Sequence, residues 1–114
     1  MQYDLESRTY DFAVNVRNFV ISLKRDLVNF EYNKQLIRSS SSIGANYIEA
    51  NESFSEKDYF MRVKICRKEA KETIYWLRLL VLSQADLARS HELIDEATQL
   101  MKIFGKILNN TKQT

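Results

Sequence analysis

The scarcity of chain-breaking residues is the feature that most restricts the fold of this chain. Its 114 residues include no proline and only two glycines, Gly44 and Gly105. An all-β fold needs tight turns at short intervals, and those turns depend on these two residue types. The chain is 45% hydrophobic and 28% charged, which is the balance of a globular protein rather than a disordered one. The sequence therefore predicts a few long helices.

Four segments carry apolar residues at every third or fourth position, which is the spacing of one helix face. Four amphipathic helices joined by short connections pack most simply as an antiparallel up-down-up-down bundle. We therefore expect an all-α four-helix bundle that forms one domain over residues 1–114. The predicted helices cover approximately residues 7–25, 30–51, 56–84 and 90–110.

Helix starts are predicted from side chains that can accept hydrogen bonds from the free N–H groups of a first turn. Ser7 or Thr9 would cap the first helix, Ser55 the third and Ser90 the fourth. The second helix would start near Asn29 or Asn33. The last six residues, 109–114, are expected to fray.

The second predicted helix contains an unusual run of small residues. Residues 39–45 read Ser-Ser-Ser-Ser-Ile-Gly-Ala, and serine and glycine are mediocre to poor helix formers. The run either breaks the helix or lets a neighbouring helix come close. Apolar positions continue in phase across the serines, so we favour an unbroken helix.

The chain shows no sign of export or of a membrane anchor. No stretch approaches the roughly 20 apolar residues of a membrane span, and the N-terminus lacks the pattern of a signal peptide. A cytoplasmic protein is therefore expected. Cys66 is the only cysteine, so no intrachain disulfide can form, and its apolar neighbours predict a buried thiol. We expect no metal and no cofactor.

One set of polar residues is not explained by core packing. Its members recur at helical spacing along one side of the second and third helices. They could form ordinary surface ion pairs, a buried or interfacial network that fixes helix register or subunit pairing, or a ligand or metal site. The set comprises Arg38, Ser42, Asn46, Glu49, Glu69, Glu72 and Trp76.

A second set is basic and lies along one face of the third helix. Cations interleaved with an aromatic ring can bind phosphates and stack a base. The alternative is a face that only keeps the protein soluble. The set comprises Lys64, Arg67, Lys68, Lys71, Tyr75 and Arg78.

Catalytic patterns are weak. Diiron bundles of the ferritin type use Glu-x-x-His pairs, but the residue three after Glu69 is Glu72 and the residue three after Glu72 is Tyr75. His91 is the only histidine, and no glycine-rich phosphate loop is present. We therefore expect a protein that is not an enzyme.

The string over residues 35–50, Gln-Leu-Ile-Arg-Ser-Ser-Ser-Ser-Ile-Gly-Ala-Asn-Tyr-Ile-Glu-Ala, is specific enough to suggest a family. It resembles the signature of the bacterial four-helix bundle proteins called 23S ribosomal RNA intervening-sequence proteins. Further matches fall within residues 4–13, at 68–73 and at 75–77. The resemblance covers almost the whole chain. Two departures are the lack of a proline in the first connection and Glu49-Ala50 where many relatives have Glu-Gly.

The resemblance implies a four-helix protomer assembled into a ring-shaped homopentamer, with a suggested role in binding nucleic acid. By position, the family's signature polar residues fall on the seven residues of the first set. Apolar residues off the main stripe of the third helix, Ile65, Trp76 and Leu79, also favour a subunit interface. We expect a self-assembling protein that binds RNA or another nucleic acid. The alternatives are a purely structural interaction module and a metal- or ligand-binding bundle.

Overall fold

Four long helices make up the fold in a computed structural model, which describes residues 4–112. They are α1 (Leu5–Ser22), α2 (Leu27–Asn51), α3 (Glu56–Leu79) and α4 (Gln84–Lys112). Contacts join α1 to α2, α2 to α3, α3 to α4 and α4 back to α1. The predicted all-α four-helix fold is confirmed. None of these helices is long and apolar enough to cross a membrane.

Hydrogen bonds between neighbouring helices pair residues in opposite order along the chain. Asn51 at the end of α2 donates to Glu6 at the start of α1 (2.7 Å). Asn29 at the start of α2 holds the Val81 backbone just after α3, while Ser39, later in α2, meets Thr73, earlier in α3. This is the pairing that antiparallel neighbours require.

The predicted start and the predicted end of α1 are both wrong. The helix starts at Leu5 because the Asp4 side chain accepts from the Glu6 N–H (3.1 Å). Thr9, a predicted cap, is instead fully buried inside the helix, and its hydroxyl donates to the Leu5 carbonyl (2.9 Å). At the other end, extended backbone at Leu23 stops the helix three residues before the predicted residue 25.

The start of α2 is also earlier than predicted. Asp26 accepts hydrogen bonds from the backbone N–H groups of Val28 and Asn29, both at 2.9 Å, and so caps a helix that begins at Leu27. Asn29 is buried and is used for the cross-helix bonds to Val81.

The observed boundary between α3 and α4 lies about one and a half helical turns earlier in the chain than predicted. Ser55 caps α3 as predicted, accepting from the Asp58 N–H (3.1 Å). The helix ends at Leu79 rather than at residue 84, because Leu80 takes an extended conformation. Ser83 then accepts from the Asp86 N–H (3.3 Å) at the start of α4, whereas the predicted cap, Ser90, lies buried within the helix.

Residues 109–112, where fraying was predicted, continue α4, and residues 113 and 114 lie outside the described residues.

The serine run is helical throughout, so the prediction of an unbroken α2 is confirmed. Ser39 and Ser40 are buried, and each hydroxyl donates to a backbone carbonyl three residues earlier (3.3 Å). Ser39 also meets the Thr73 hydroxyl at 2.9 Å. Small side chains that satisfy their own polar groups let α3 approach this part of α2 closely.

A large apolar core lies between the four helices. Its largest fully buried members include Phe12, Phe19, Phe104, Leu36 and Leu77. Cys66 is buried as predicted, and its Sγ donates to the Ile43 carbonyl (3.4 Å). Burial raises the pKa of this thiol to about 12, which keeps it protonated at neutral pH.

The two helical glycines provide a matched test of the packing. A Cβ on Gly44 would lie 3.0 Å from Thr9 Oγ1, whereas the nearest atom to a Cβ on Gly105 would be Arg67 Cδ at 3.9 Å. Alanine favours a helix interior over glycine by about 1 kcal/mol. Gly105→Ala should therefore stabilise the protein by up to about 1 kcal/mol. Gly44→Ala should destabilise it by about 1 kcal/mol, because Thr9 of α1 must give way by a few tenths of an ångström.

Urea unfolding at a fixed protein concentration measures both variants. Equal stabilisation by the two substitutions would show that α1 and α2 are not as close as the structure has them.

Candidate nucleic-acid interface

Three of the seven polar residues predicted as one set form an ion cluster between α2 and α3. Arg38 Nη2 lies 3.1 Å from Glu72 Oε1, and Arg38 Nη1 lies 3.5 Å from Glu69 Oε2. Gln35 Oε1 accepts weakly from Arg38 Nε at 3.4 Å. Glu69 is only 8% exposed, whereas the Arg38 side chain is about half exposed. The cluster is therefore one-sided, because the Glu69 carboxylate is buried whereas the Arg38 guanidinium is exposed to solvent.

A second group of the set lies nearer the other end of α2. Asn46 Nδ2 donates to both the carbonyl and the hydroxyl of Ser42, each at 2.9 Å. Asn46 Oδ1 accepts from Arg62 Nη1 of α3 (3.1 Å). Arg62 was not in the predicted set, although it lies seven residues before Glu69 and so on the same side of α3.

The two remaining members of the set stand apart. Glu49 has an exposed side chain, and its backbone carbonyl accepts from the Ser53 hydroxyl (3.2 Å). Trp76 packs against Tyr32 of α2, with ring centroids 6.3 Å apart. The indole Nε1 of Trp76 is buried with no hydrogen-bond partner among the described residues, and the same holds for Glu69 Oε1.

The predicted basic set occupies a different side of α3, facing α4. Four of its members line one open groove together with Met101 and Lys102 of α4; they are Lys64, Arg67, Lys68 and Lys71. Tyr75 and Arg78 lie outside the groove and continue the same face of α3 at helical spacing. Lys102 was missed because its place beside α3 depends on the register between two helices. We call these seven residues, Lys64, Arg67, Lys68, Lys71, Tyr75, Arg78 and Lys102, the basic surface.

The cations of the basic surface have no carboxylate partner among residues 4–112. No ion pair within 4.0 Å joins any of the six Lys and Arg side chains of the basic surface to a carboxylate in the described part of the chain. The two carboxylates nearest in sequence, Glu69 and Glu72, are both turned towards Arg38. Cations without a carboxylate partner among the described residues are therefore grouped on one side of α3.

The side chains that could bind a metal ion do not form a cluster among the described residues. Across residues 4–112, no three His, Cys, Asp or Glu side chains come close enough to hold a metal ion. The one-sided ion cluster instead has the composition of a structural contact between helices.

The ion cluster predicts the effect of removing its cation. Arg38→Ala leaves the buried Glu69 carboxylate without a counterion, so we expect a loss of about 1–3 kcal/mol in the free energy of unfolding. The partial exposure of Arg38 keeps this below the 3–5 kcal/mol typical of a fully buried pair. Urea titration measures the loss, and adding Glu69→Gln to the variant should recover part of it.

Lys34→Ala is the matched control, because it removes an exposed ion pair with Glu31 on the same helix. It should cost less than about 1 kcal/mol. An Arg38→Ala loss no larger than the Lys34→Ala loss would contradict the structural role of the cluster.

Comparisons with known proteins agree with this fold. No curated protein matches the chain. A crystal structure of a protein of unknown function from the S23 ribosomal protein family of Bacteroides thetaiotaomicron superposes with a TM-score of 0.78 and is 29% identical. The match covers 92% of this chain and 98% of that one. The profile of the 23S rRNA-intervening sequence protein family matches residues 2–109, so this chain belongs to that family.

Proposed function

We propose that this protein uses the basic surface to bind the phosphate backbone of RNA and that it does not catalyse a reaction. The observation that carries the proposal is the group of six unpaired cations on one side of α3 and α4. Each cation that meets a phosphate releases condensed counterions, which favours binding whatever the base sequence. The formal net charge of the chain is only +2, so attraction to RNA depends on where the charge lies.

We propose RNA rather than another polyanion because the family name refers to a sequence within ribosomal RNA. Chemistry that uses a cysteine nucleophile is disfavoured by the state of the chain's only thiol. Burial raises the pKa of Cys66 to about 12, so the thiolate that a nucleophile requires is scarce at neutral pH.

The test is a titration of the parent protein with two labelled RNAs of unrelated sequence between 50 and 200 mM NaCl. We expect similar affinities for both RNAs. The slope of log affinity against log salt should be about −0.7 to −0.9 for each phosphate contacted. An absence of saturable binding at 50 mM NaCl, or a slope near zero, would overturn the proposal.

Self-assembly is the second proposed property, and it rests on a different part of the molecule. The unpartnered Trp76 Nε1 and Glu69 Oε1 are buried polar atoms, and such atoms are costly unless something satisfies them. Along the same side of α3, Met61 is exposed while Ile65 and Leu79 are only partly buried. A second copy of the chain could cover these apolar side chains and supply the missing polar partners.

We propose a homo-oligomer, with a ring-shaped pentamer as the first arrangement to test. In a ring, each contact joins two different surfaces of neighbouring copies, so the α2–α3 side of one protomer would meet another side of the next. Light scattering at micromolar concentration measures the mass directly. The mass of a monomer would contradict self-assembly and would leave the RNA proposal standing.

A further inference from the structure

We infer that the basic surface takes single-stranded rather than duplex nucleic acid, with one base stacked on the ring of Tyr75. This inference rests on the proposed function and adds the class of ligand to it. The starting observation is that an aromatic side chain, 57% exposed, lies between two unpaired cations, Lys71 and Arg78, near the C-terminal end of the basic surface.

The position of Tyr75 suits a strand that runs along α3. Lys71 lies four residues before it and Arg78 three residues after it, so one cation lies about one helical turn away on each side. A flexible strand can place the phosphates that flank one nucleotide on these two cations. The base between them then lies over the tyrosine ring.

The ring of Tyr75 is held in place by other aromatic side chains. Trp76 contacts it edge to face, with centroids 5.1 Å apart and an interplanar angle of 75°. Trp76 is itself packed on Tyr32 of α2. A ring that is already positioned loses little conformational freedom when a base binds, and any of the four bases can stack on it.

A duplex cannot use this ring. Its bases are stacked on one another, and taking one out of the stack is costly. The major groove of an RNA helix is also too deep and narrow for side chains to read its bases. Cations alone would bind a duplex through its phosphates, so the contribution of Tyr75 distinguishes the two ligand classes.

The experiment compares one RNA oligonucleotide as a single strand and in a perfect duplex, with fluorescence anisotropy as the readout. Tyr75→Ala should weaken single-strand binding by roughly 5- to 100-fold, which is the range for loss of one stacked base. The salt slope should stay unchanged, because no phosphate contact is lost. Duplex binding should change less than about twofold. Tyr75→Phe keeps the ring and should keep single-strand affinity within about twofold.

Tyr10→Ala is the matched control, since it removes a tyrosine that is 67% exposed on α1, and it should leave both affinities unchanged. Thermal melts of each variant show whether the fold is retained. Equal effects of Tyr75→Ala on single strand and duplex, or no effect on either, would overturn the inference and leave backbone binding intact. A parent protein that binds neither form at 50 mM NaCl would overturn both this inference and the proposed function.

Discussion

Leu77→Ala should lower the free energy of unfolding by about 2–5 kcal/mol, among the largest losses from a single substitution in this chain. Leu77 is 1% exposed and belongs to the core between the helices. Truncation removes its transfer free energy and leaves a cavity that rigid neighbouring helices cannot fully close. Urea titration at a fixed protein concentration measures the change.

Leu27→Ala is the matched control, because Leu27 is 87% exposed at the start of α2. The same chemical change there should cost less than about 0.5 kcal/mol. If Leu77→Ala cost under about 1 kcal/mol, the core face of α3 would be misassigned, and with it the opposite face that carries the basic surface.

The triple variant Lys64→Ala, Lys68→Ala, Lys71→Ala should bind RNA roughly 100- to 500-fold more weakly than the parent at 0.1 M salt. Each lost phosphate contact removes about 0.7–0.9 of a logarithmic unit of affinity at that salt concentration, by counterion release. The salt slope should become shallower by about 2–3 for the same reason. All three side chains are exposed, so the fold should be retained, and a thermal melt checks this.

A second triple variant, with Arg17, Lys24 and Arg25 changed to alanine, separates position from total charge. These three exposed cations lie on α1 and just after it. Both variants lower the net charge by the same three units. The control variant should lose less than about threefold in affinity for RNA, because the three cations that it removes lie away from the proposed path of the RNA strand. Equal losses in the two variants would mean that the whole protein attracts RNA and that the basic surface has no special role.

Apolar periodicity predicted the four helices well, because each helix buries one stripe and the stripe is visible in the sequence. The unbroken α2 was also predictable, since Leu36 and Ile43 stay in phase across the serines. Helix ends were harder. Asp4, Asp26 and Ser83 cap three helices, but acceptable capping residues occur at several neighbouring positions, and tertiary packing decides which one is used.

The candidate site was only partly predictable. The face of α3 that carries Lys64, Lys68 and Lys71 follows from spacing within one helix. Lys102 joins that face through the packing of α4 on α3, and single-sequence periodicity contains no information on that register. The seven polar residues predicted as one set form separate groups in the structure for the same reason. Spacing placed Arg38 and Glu49 on one side of α2, but only Arg38 lies opposite the carboxylates of α3.

Mapping the contact by photocrosslinking tests the central claim most directly. RNA containing 4-thiouridine would be crosslinked to the parent protein at 50 mM NaCl, digested with trypsin and analysed by mass spectrometry. Binding through the basic surface predicts crosslinks within residues 64–78, including the tryptic peptide 72–78 that contains Tyr75. Crosslinks confined to α1 and α2, or none above those of an unrelated protein, would contradict it.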